Sequence, residues 1–293
     1  SCNYNALPAV TGDVTDEDDN CSTGLNATYV DVTVAGACEG TWVITRTWSL
    51  VDNCGNAAAD QVQTITVSDN TPPTFTRPID IEIFTDASCN YNALPAVTGD
   101  VTDEDDNCST GLNATYVDVT VAGACEGTWV ITRTWSLVDN CGNAAADQVQ
   151  TITVSDNTAP TFTRPIDIEI FTDASCNYNA LPGVTGDVTD EDDNCSTGLN
   201  ATYVDVTVAG ACEGTWVITR TWSLVDNCGN AAADQVQTIT VSDNTAPTFT
   251  RPIDIEIFTD ASCNYNALPA VTGDVTDEDD NCSTGLNATY VDV

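Results

Sequence analysis

Histidine, lysine and methionine are absent from this chain, and six Arg are its only side-chain cations. Without His there is no imidazole base near neutral pH; without Lys there is no Schiff-base amine and no ammonium for a Lys–Asn isopeptide cross-link. No apolar run approaches the roughly 20 residues of a membrane span, and no signal-peptide pattern is present. With no initiator Met either, the chain reads as part of something longer. Cys-x-x-Cys and Cys/His clusters are missing too, so the fourteen Cys do not read as zinc ligands but as two disulfides per repeat in an oxidising, extracytoplasmic compartment.

What is present is one unit written repeatedly. Ser-Cys-Asn-Tyr-Asn-Ala-Leu-Pro opens at Ser1, Ser88, Ser175 and Ser262, and the text between follows with a period of 87 residues. The drifts are Pro72 against Ala159 and Ala246, and Gly183 against Ala9, Ala96 and Ala270. Such self-similarity means one structural unit used over and over. A period of 87 exceeds the common solenoid repeats and suits one small β-sandwich with its own core. Prolines in Asp69-Asn70-Thr71-Pro72-Pro73 and Asp156-Asn157-Thr158-Ala159-Pro160 mark short, stiff linkers. They divide the chain into domains at 1–71, 72–158, 159–245 and 246–293, the first and last truncated.

Each full period carries ten Asp and three Glu against two Arg, a net −11 in a chain of net −39. This field excludes nucleic acid and anionic lipid as partners and favours divalent cations and repulsion between neighbouring fibres. Along one period, alternation predicts strands at 78–84, 94–101 (weak), 115–121, 128–139 and 148–154. No stretch has helical period. The fold class is therefore all-β, a tandem array of Ig-like β-sandwich domains with two disulfides each. Trp129, Ile131, Arg133, Trp135 and Leu137 share one face of the fourth strand. The Trp pairs (Trp42/Trp48, Trp129/Trp135, Trp216/Trp222) read as core rather than as a sugar-stacking platform. Arg46, Arg133 and Arg220 between them suit cation–π packing and carboxylate pairing, and Arg77, Arg164 and Arg251 balance acids near the linkers.

If each strand crosses the sandwich, successive loops alternate between its two ends, and sequential cysteines lie too far apart to bond. The pairing expected within a repeat is then Cys89–Cys125 with Cys108–Cys141, and likewise Cys2–Cys38 with Cys21–Cys54 and Cys176–Cys212 with Cys195–Cys228. The same parity sets the linker between two sources of carboxylate. Packed carboxylates repel until a cation arrives, and hard oxygen at this density suits Ca²⁺. Candidate ligands at the first junction are Glu39, Asp69 and Asn70 with Asp103, Glu104, Asp105 and Asp106. At the second they are Glu126, Asp156 and Asn157 with Asp190, Glu191, Asp192 and Asp193; Asp173 would lie near them, and Asp226 and Asn227, on the other loop at that same end, are close candidates. The third would use Glu213, Asp243 and Asn244 with Asp277, Glu278, Asp279 and Asp280. The equivalent acids of the first repeat are Asp16, Glu17, Asp18 and Asp19.

Asp-Asn-Thr-Pro-Pro-Thr-Phe resembles the end of cadherin linkers, whose carboxylates and those of flanking loops bind calcium between domains; the upstream Asp of the longer cadherin motif is absent. Over nearly the whole period, Asp-Asn-Cys-Ser, Trp-Val-Ile-Thr-Arg-Thr-Trp-Ser-Leu-Val-Asp-Asn-Cys-Gly-Asn and Thr-Ile-Thr-Val-Ser-Asp-Asn-Thr-Pro-Pro resemble the HYR-like, Ig-like repeats of giant Bacteroidota surface proteins. That resemblance implies long extracellular adhesins on the cell surface, including filaments of gliding motility. The expected function is a structural stalk of about 40 Å per module, judged from strand length. Its partners would be neighbouring repeats and identical chains in a filament, with a surface or glycan ligand held by other regions. The alternatives are a subunit of a polymerised fibre and a calcium-bridged glycan-binding module. Asn26-Ala27-Thr28, its copies at Asn113, Asn200 and Asn287, and Asn20-Cys21-Ser22 match the glycosylation sequon, a short match expected to be idle in a bacterial protein. Nothing in the pattern suggests the cleft a glycosidase needs, and no enzyme activity is expected.

Overall fold

The computed structural model describes residues 2–293. Its contacts fall into two compact units, Ser1–Asp86 with Asn90–Ser155, and Ala87–Cys89 with Asp156–Val293. The first unit holds a three-stranded sheet of β1 (Thr28–Ala35), β2 (Trp42–Ser49) and β3 (Gln61–Val67), in that order. It also holds a four-stranded sheet of β4 (Ile81–Phe84), β5 (Thr115–Ala122), β6 (Trp129–Ser136) and β7 (Gln148–Ser155), ordered β4-β7-β6-β5. The second unit repeats the four-stranded sheet with β8 (Ile168–Phe171), β9 (Thr202–Ala209), β10 (Trp216–Ser223) and β11 (Gln235–Ser242). All pairs are antiparallel except the short first strand, which runs parallel to the last: Ile81 faces Ile152 and Ile83 faces Val154. The chain is an all-β array of Ig-like modules. Antiparallel β5, β6 and β7 lie side by side in chain order, with β4 added at the β7 edge.

The strands expected at 115–121, 128–139 and 148–154 form with small changes at their ends. The first strand is shorter, and the weak one at 94–101 does not form. In its place α2 (Pro95–Thr98) makes a single helical turn, repeated as α1 (Pro8–Thr11), α3 (Pro182–Thr185) and α4 (Pro269–Thr272). Pro95 at the first helical position presets φ for a turn, and Gly99 at φ 97° ends it, its N–H donating to Pro95 O. Leu94 and Val97 stay exposed while Thr98 and Val101 are buried, three residues apart, so burial here does not follow the period of a strand.

The sheet therefore packs against an irregular layer. Phe75, Val101, Ala114 and Leu137 surround Trp135, while Ile83, Ile131, Ile152 and Val154 pack with Tyr91, Ala93 and Trp129. Between these two apolar clusters lies a polar belt. Arg133, 1 % exposed, donates Nε and Nη2 to the two oxygens of Asp118 at 2.8 Å each. Its Nη1 donates to Thr98 Oγ1 and its Nη2 to Ala93 O. The guanidinium also lies 4.1 Å from the Tyr116 ring centroid and 5.7 Å from that of Trp135. The fully buried Gln150 accepts from Trp135 Nε1 and donates to Ile79 O and Thr98 O. Gln148 donates to Phe75 O. A coil layer cannot satisfy its carbonyls by laddering, so side-chain donors from the sheet do it instead. Arg46 and Arg220 repeat the arrangement with Asp31 and Asp205. Arg77, by contrast, pairs with Asp80 on its own segment, at 2.7 Å, rather than with the linker acids.

Replacing Arg133 by Leu removes the donor to Ala93 O and the Thr98 hydroxyl and strands the Asp118 carboxylate. The expected cost is about 3–5 kcal/mol, visible as lost hydrogen-exchange protection in β6 and β7 while β10 and β11 keep theirs.

Candidate metal centre at the repeat junction

The cysteines show where one repeat meets the next. Cys2 bonds Cys108 and Cys38 bonds Cys141, with Cα–Cα distances of 4.8 and 5.3 Å and sequence separations of 106 and 103 residues. In the second unit Cys89 bonds Cys195 and Cys176 bonds Cys282, both at a separation of 106. Cys125 and Cys228 are disulfide-bonded as well, whereas Cys21, Cys54, Cys212 and Cys263 are free and exposed. This corrects the expected pairs Cys2–Cys38, Cys21–Cys54, Cys89–Cys125, Cys108–Cys141, Cys176–Cys212 and Cys195–Cys228. Strand parity assigned the cysteines to ends properly: Cys2 and Cys38 share the end that meets Cys108 and Cys141. It carried no information on whether a bond runs sideways within a repeat or forward into the next.

Between β1 and β2, the tip Cys38-Glu39-Gly40 plugs into the second repeat. It is closed locally by Thr41 Oγ1 donating to Cys38 O at 2.7 Å and by Gly36 N–H donating to Thr41 O at 2.8 Å. Glu39 was an expected metal ligand. Its carboxylate is instead spent across the junction, accepting from Thr110 N–H at 2.7 Å, Thr110 Oγ1 at 3.0 Å and Asn140 Nδ2 at 3.0 Å. The Thr110 N–H, followed by the Thr110 hydroxyl and the Asn140 amide, holds Glu39 below the usual carboxylate range. Glu213 makes the same bonds to Thr284 in the second unit. Gly40, at φ 75°, backs directly onto the Cys2–Cys108 bridge, where a Cβ would overlap Cys2 Sγ and Cys108 Cβ.

Beside the tip, three carboxylates converge. One oxygen from each of Asp69, Asp106 and Asp139 lies within 4.8 Å of the others, as do oxygens of Asp156, Asp193 and Asp226 in the second unit. Each belongs to an Asp-Asn turn that uses one oxygen for its own backbone. Asp69 Oδ1 accepts from Thr71 N–H. Asp106 Oδ2 accepts from the N–H groups of Cys108 and Ser109, both at 2.7 Å. Asp139 Oδ1 accepts from those of Cys141 and Asn143, and its Oδ2 from Asn143 Nδ2. Burial raises the Asp139 pKa, but these donors outweigh it and keep the carboxyl below the ordinary range. Asn143 Nδ2 also donates to Asp69 O, tying the linker to the turn.

The oxygens left over, Asp69 Oδ2 and Asp106 Oδ1, are buried without a partner, as are Asp156 Oδ2 and Asp193 Oδ1. Asp156, Asp139 and Asp226 are all more than nine-tenths buried. No side-chain cation relieves them: all six Arg pair elsewhere, with Asp31, Asp80, Asp118, Asp167, Asp205 and Asp254. Desolvated carboxylates crowded this way are costly unless neutralised. A donor set made only of carboxylate oxygen fits a hard divalent cation, with Ca²⁺ first.

The remaining candidates have other work. Asp103 accepts from Thr76 N–H, Asp190 from Thr163 N–H and Asp277 from Thr250 N–H, anchoring the start of each repeat. Glu104, Glu191 and Glu278 accept from the N–H of Ala114, Ala201 and Ala288. Asp105, Asp192 and Asp279 make backbone bridges to Thr74, Thr161 and Thr248. Asn70, Asn157 and Asn244 are exposed beside the linker Asp, and Glu126 occupies the tip position of its own repeat. At the third junction, Asp243 accepts from Thr245 N–H and Asp280 from Cys282 and Ser283, with Asp280 Oδ1 again unpartnered. Asp226 was a close candidate at the second junction and does join Asp156 and Asp193, whereas its counterpart Asp139 was not among those expected at the first. Its signal was the Asp-Asn pair, written three times per repeat, at Asp69, Asp106 and Asp139.

The chain is thus a tandem-repeat protein of Ig-like all-β modules. No protein-family model matches it, and no curated protein is detectably similar to it. Among solved structures it is similar to Drosophila N-cadherin EC1-3, at 13% identity over 79% of this chain and 92% of that one, with a TM-score of 0.25. It is also similar to the titin I-band fragment I67-I69, at 8% identity over 75% and 89%, with a TM-score of 0.28. Likeness at that level says nothing about ligands, and the chemistry of the junction stands on its own atoms. No helix among the described residues is long and apolar enough to cross a membrane.

Gly40→Val places a side chain where the Cys2–Cys108 bridge lies. Thiol labelling of the unreduced, denatured variant is expected to add Cys2 and Cys108 to the free cysteines, with Cys38–Cys141 retained.

Proposed function

We propose that this chain is a segment of the stalk of an extracellular adhesin or surface filament, built from Ig-like domains at 1–71, 72–158, 159–245 and 246–293. It would be braced covalently by disulfides between repeats and electrostatically by Ca²⁺ at each junction. Its work is reach and stiffness, without catalysis, and its partners are its own repeats and neighbouring chains at the cell surface. The likeness to HYR-like repeats of Bacteroidota adhesins, gliding filaments among them, supports this reading over nearly the whole period. The observation that carries it is the junction carboxylate set: linker Asp69 meets Asp106 and Asp139 of the next repeat with one oxygen of each within 4.8 Å of the others, and Asp69 Oδ2 and Asp106 Oδ1 are buried without a partner. A bound calcium ion supplies positive charge and oxygen coordination there, turning mutual repulsion of the carboxylates into attraction.

Calorimetric titration of the oxidised chain tests it. Saturable calcium binding is expected in the range of about 10⁻⁴–10⁻³ M typical of extracellular modules. At 100-fold excess over Kd, each site adds about 2.7 kcal/mol to stability, read as a rise in melting temperature reversed by chelator. An isotherm without saturable heat at millimolar calcium, and a melting curve unmoved by chelator, would reject the cation.

A further inference from the structure

We infer that the cation bound at Asp69, Asp106 and Asp139 directs which cysteines pair, so that the junction acts as a template for oxidative assembly of the array. This rests on the calcium reading above and extends it from the finished stalk to its formation.

Four thiols serve each junction, here Cys2, Cys38, Cys108 and Cys141. Four cysteines allow three pairings, and one of them, Cys2–Cys38 with Cys108–Cys141, closes each repeat on itself and leaves the junction uncrosslinked. That pairing has the kinetic advantage. Its loops are about a third as long as the 106 and 103 residues of the bridges found, so loop-closure statistics favour it about fivefold. Something at the junction must overcome that bias.

The metal ligands and the cysteines form one construction. Cys108 and Cys141 each lie two residues after a ligand, and each donates its own N–H to that ligand's carboxylate, at 2.7 and 2.8 Å. Fixing Asp106 and Asp139 on an ion therefore fixes the backbone of both cysteines. The third ligand, Asp69, comes from the repeat that carries Cys2 and Cys38, so filling the site draws that repeat's tip across. Without the ion, three carboxylates confront one another and hold the two repeats apart. The second unit has the same coupling: Asp193 accepts from Cys195 N–H and Asp226 from Cys228 N–H, with Asp156 as the third carboxylate. Calcium prefers oxygen and leaves the thiols free to react.

In each step a thiolate attacks a low-molecular-weight disulfide such as oxidised glutathione, releasing one glutathione thiolate. The partner thiolate then displaces the second, so two protons and two electrons leave the protein per bridge and the oxidant is reduced to two thiols.

The test is oxidative refolding of the reduced full chain in a glutathione buffer, with millimolar calcium or with chelator, followed by unreduced peptide mapping. With calcium, Cys2–Cys108, Cys38–Cys141 and Cys89–Cys195 are expected to dominate. With chelator they fall several-fold while Cys2–Cys38 and Cys108–Cys141 rise. Asp69→Asn keeps the acceptor for Thr71 N–H and removes one charge. It is expected to abolish the calcium effect on Cys2–Cys108 and Cys38–Cys141 and to spare that on Cys89–Cys195, which serves as internal control. Identical maps with and without calcium, from a chain whose oxidised form binds calcium, would overturn the templating role and leave the stalk reading standing. A calcium effect on the first junction that survives Asp69→Asn would overturn it too. Failure of the oxidised chain to bind calcium would instead remove the reading on which the template rests.

Discussion

A single buried guanidinium per repeat holds the rest in place. Arg133 sits on the inner face of the sheet where an aliphatic side chain would ordinarily lie, between two apolar clusters, and its donors reach Asp118, Thr98 and Ala93. With Gln150 it lets an irregular segment serve as the second layer of a module, because carbonyls that no ladder satisfies find side-chain donors instead. A coil layer can be shaped more freely than a strand. The acidic loop that follows it is fastened by Asp103 to Thr76, by Glu104 to Ala114 and by the Thr74–Asp105 bridge. Only with those fastenings made does Asp106 reach the end of the module with an oxygen to spare.

The junction divides its carboxylates between two kinds of work. Glu39 clasps Thr110 and Asn140 and needs no metal, since backbone and amide donors already neutralise it in part. Asp69 and Asp106 each commit one oxygen to a turn and Asp139 both, which leaves their grouping short of positive charge. The composition makes that shortage unavoidable: six Arg, all paired elsewhere, leave no side-chain cation for the linker. A soluble ion is the one source of charge that does not have to be encoded.

Much of the sheet could be read in advance. Alternation located β6 and β7 because each has a more buried and a more exposed face, and the Trp129-to-Trp135 stripe lies on the inner side as expected; β5 was located by the same period although all of its residues are exposed. The helical turn at Pro95 was hidden by its apolar residues, which mimic a weak strand; the proline that presets its φ was the better guide. Gln148 and Gln150 fall on the buried parity of β7, and a polar residue there already signals that something other than a second ladder covers the sheet. Parity also placed the cysteines at the proper ends, yet an end is shared by two repeats, and periodic text looks the same whether a bond points inward or onward. The acidic run drew attention by density to Asp103, Glu104 and Asp105, which are internal ties. Asp139 stands apart from other acids; loop parity pointed to its counterpart Asp226, and the recurrence of Asp-Asn marks the position in every repeat.

The bridge from Cys38 to Cys141 has a mechanical corollary. It spans 103 positions, and within that span lie β2, β3, the first linker and most of the second repeat. A pull on the first tip reaches the second repeat through sulfur, without loading the linker between them. Hidden length of that size would otherwise unravel by about 3.3–3.6 Å per residue. While the bond is intact, tension yields almost no slack, and a protease that severs the linker frees neither fragment.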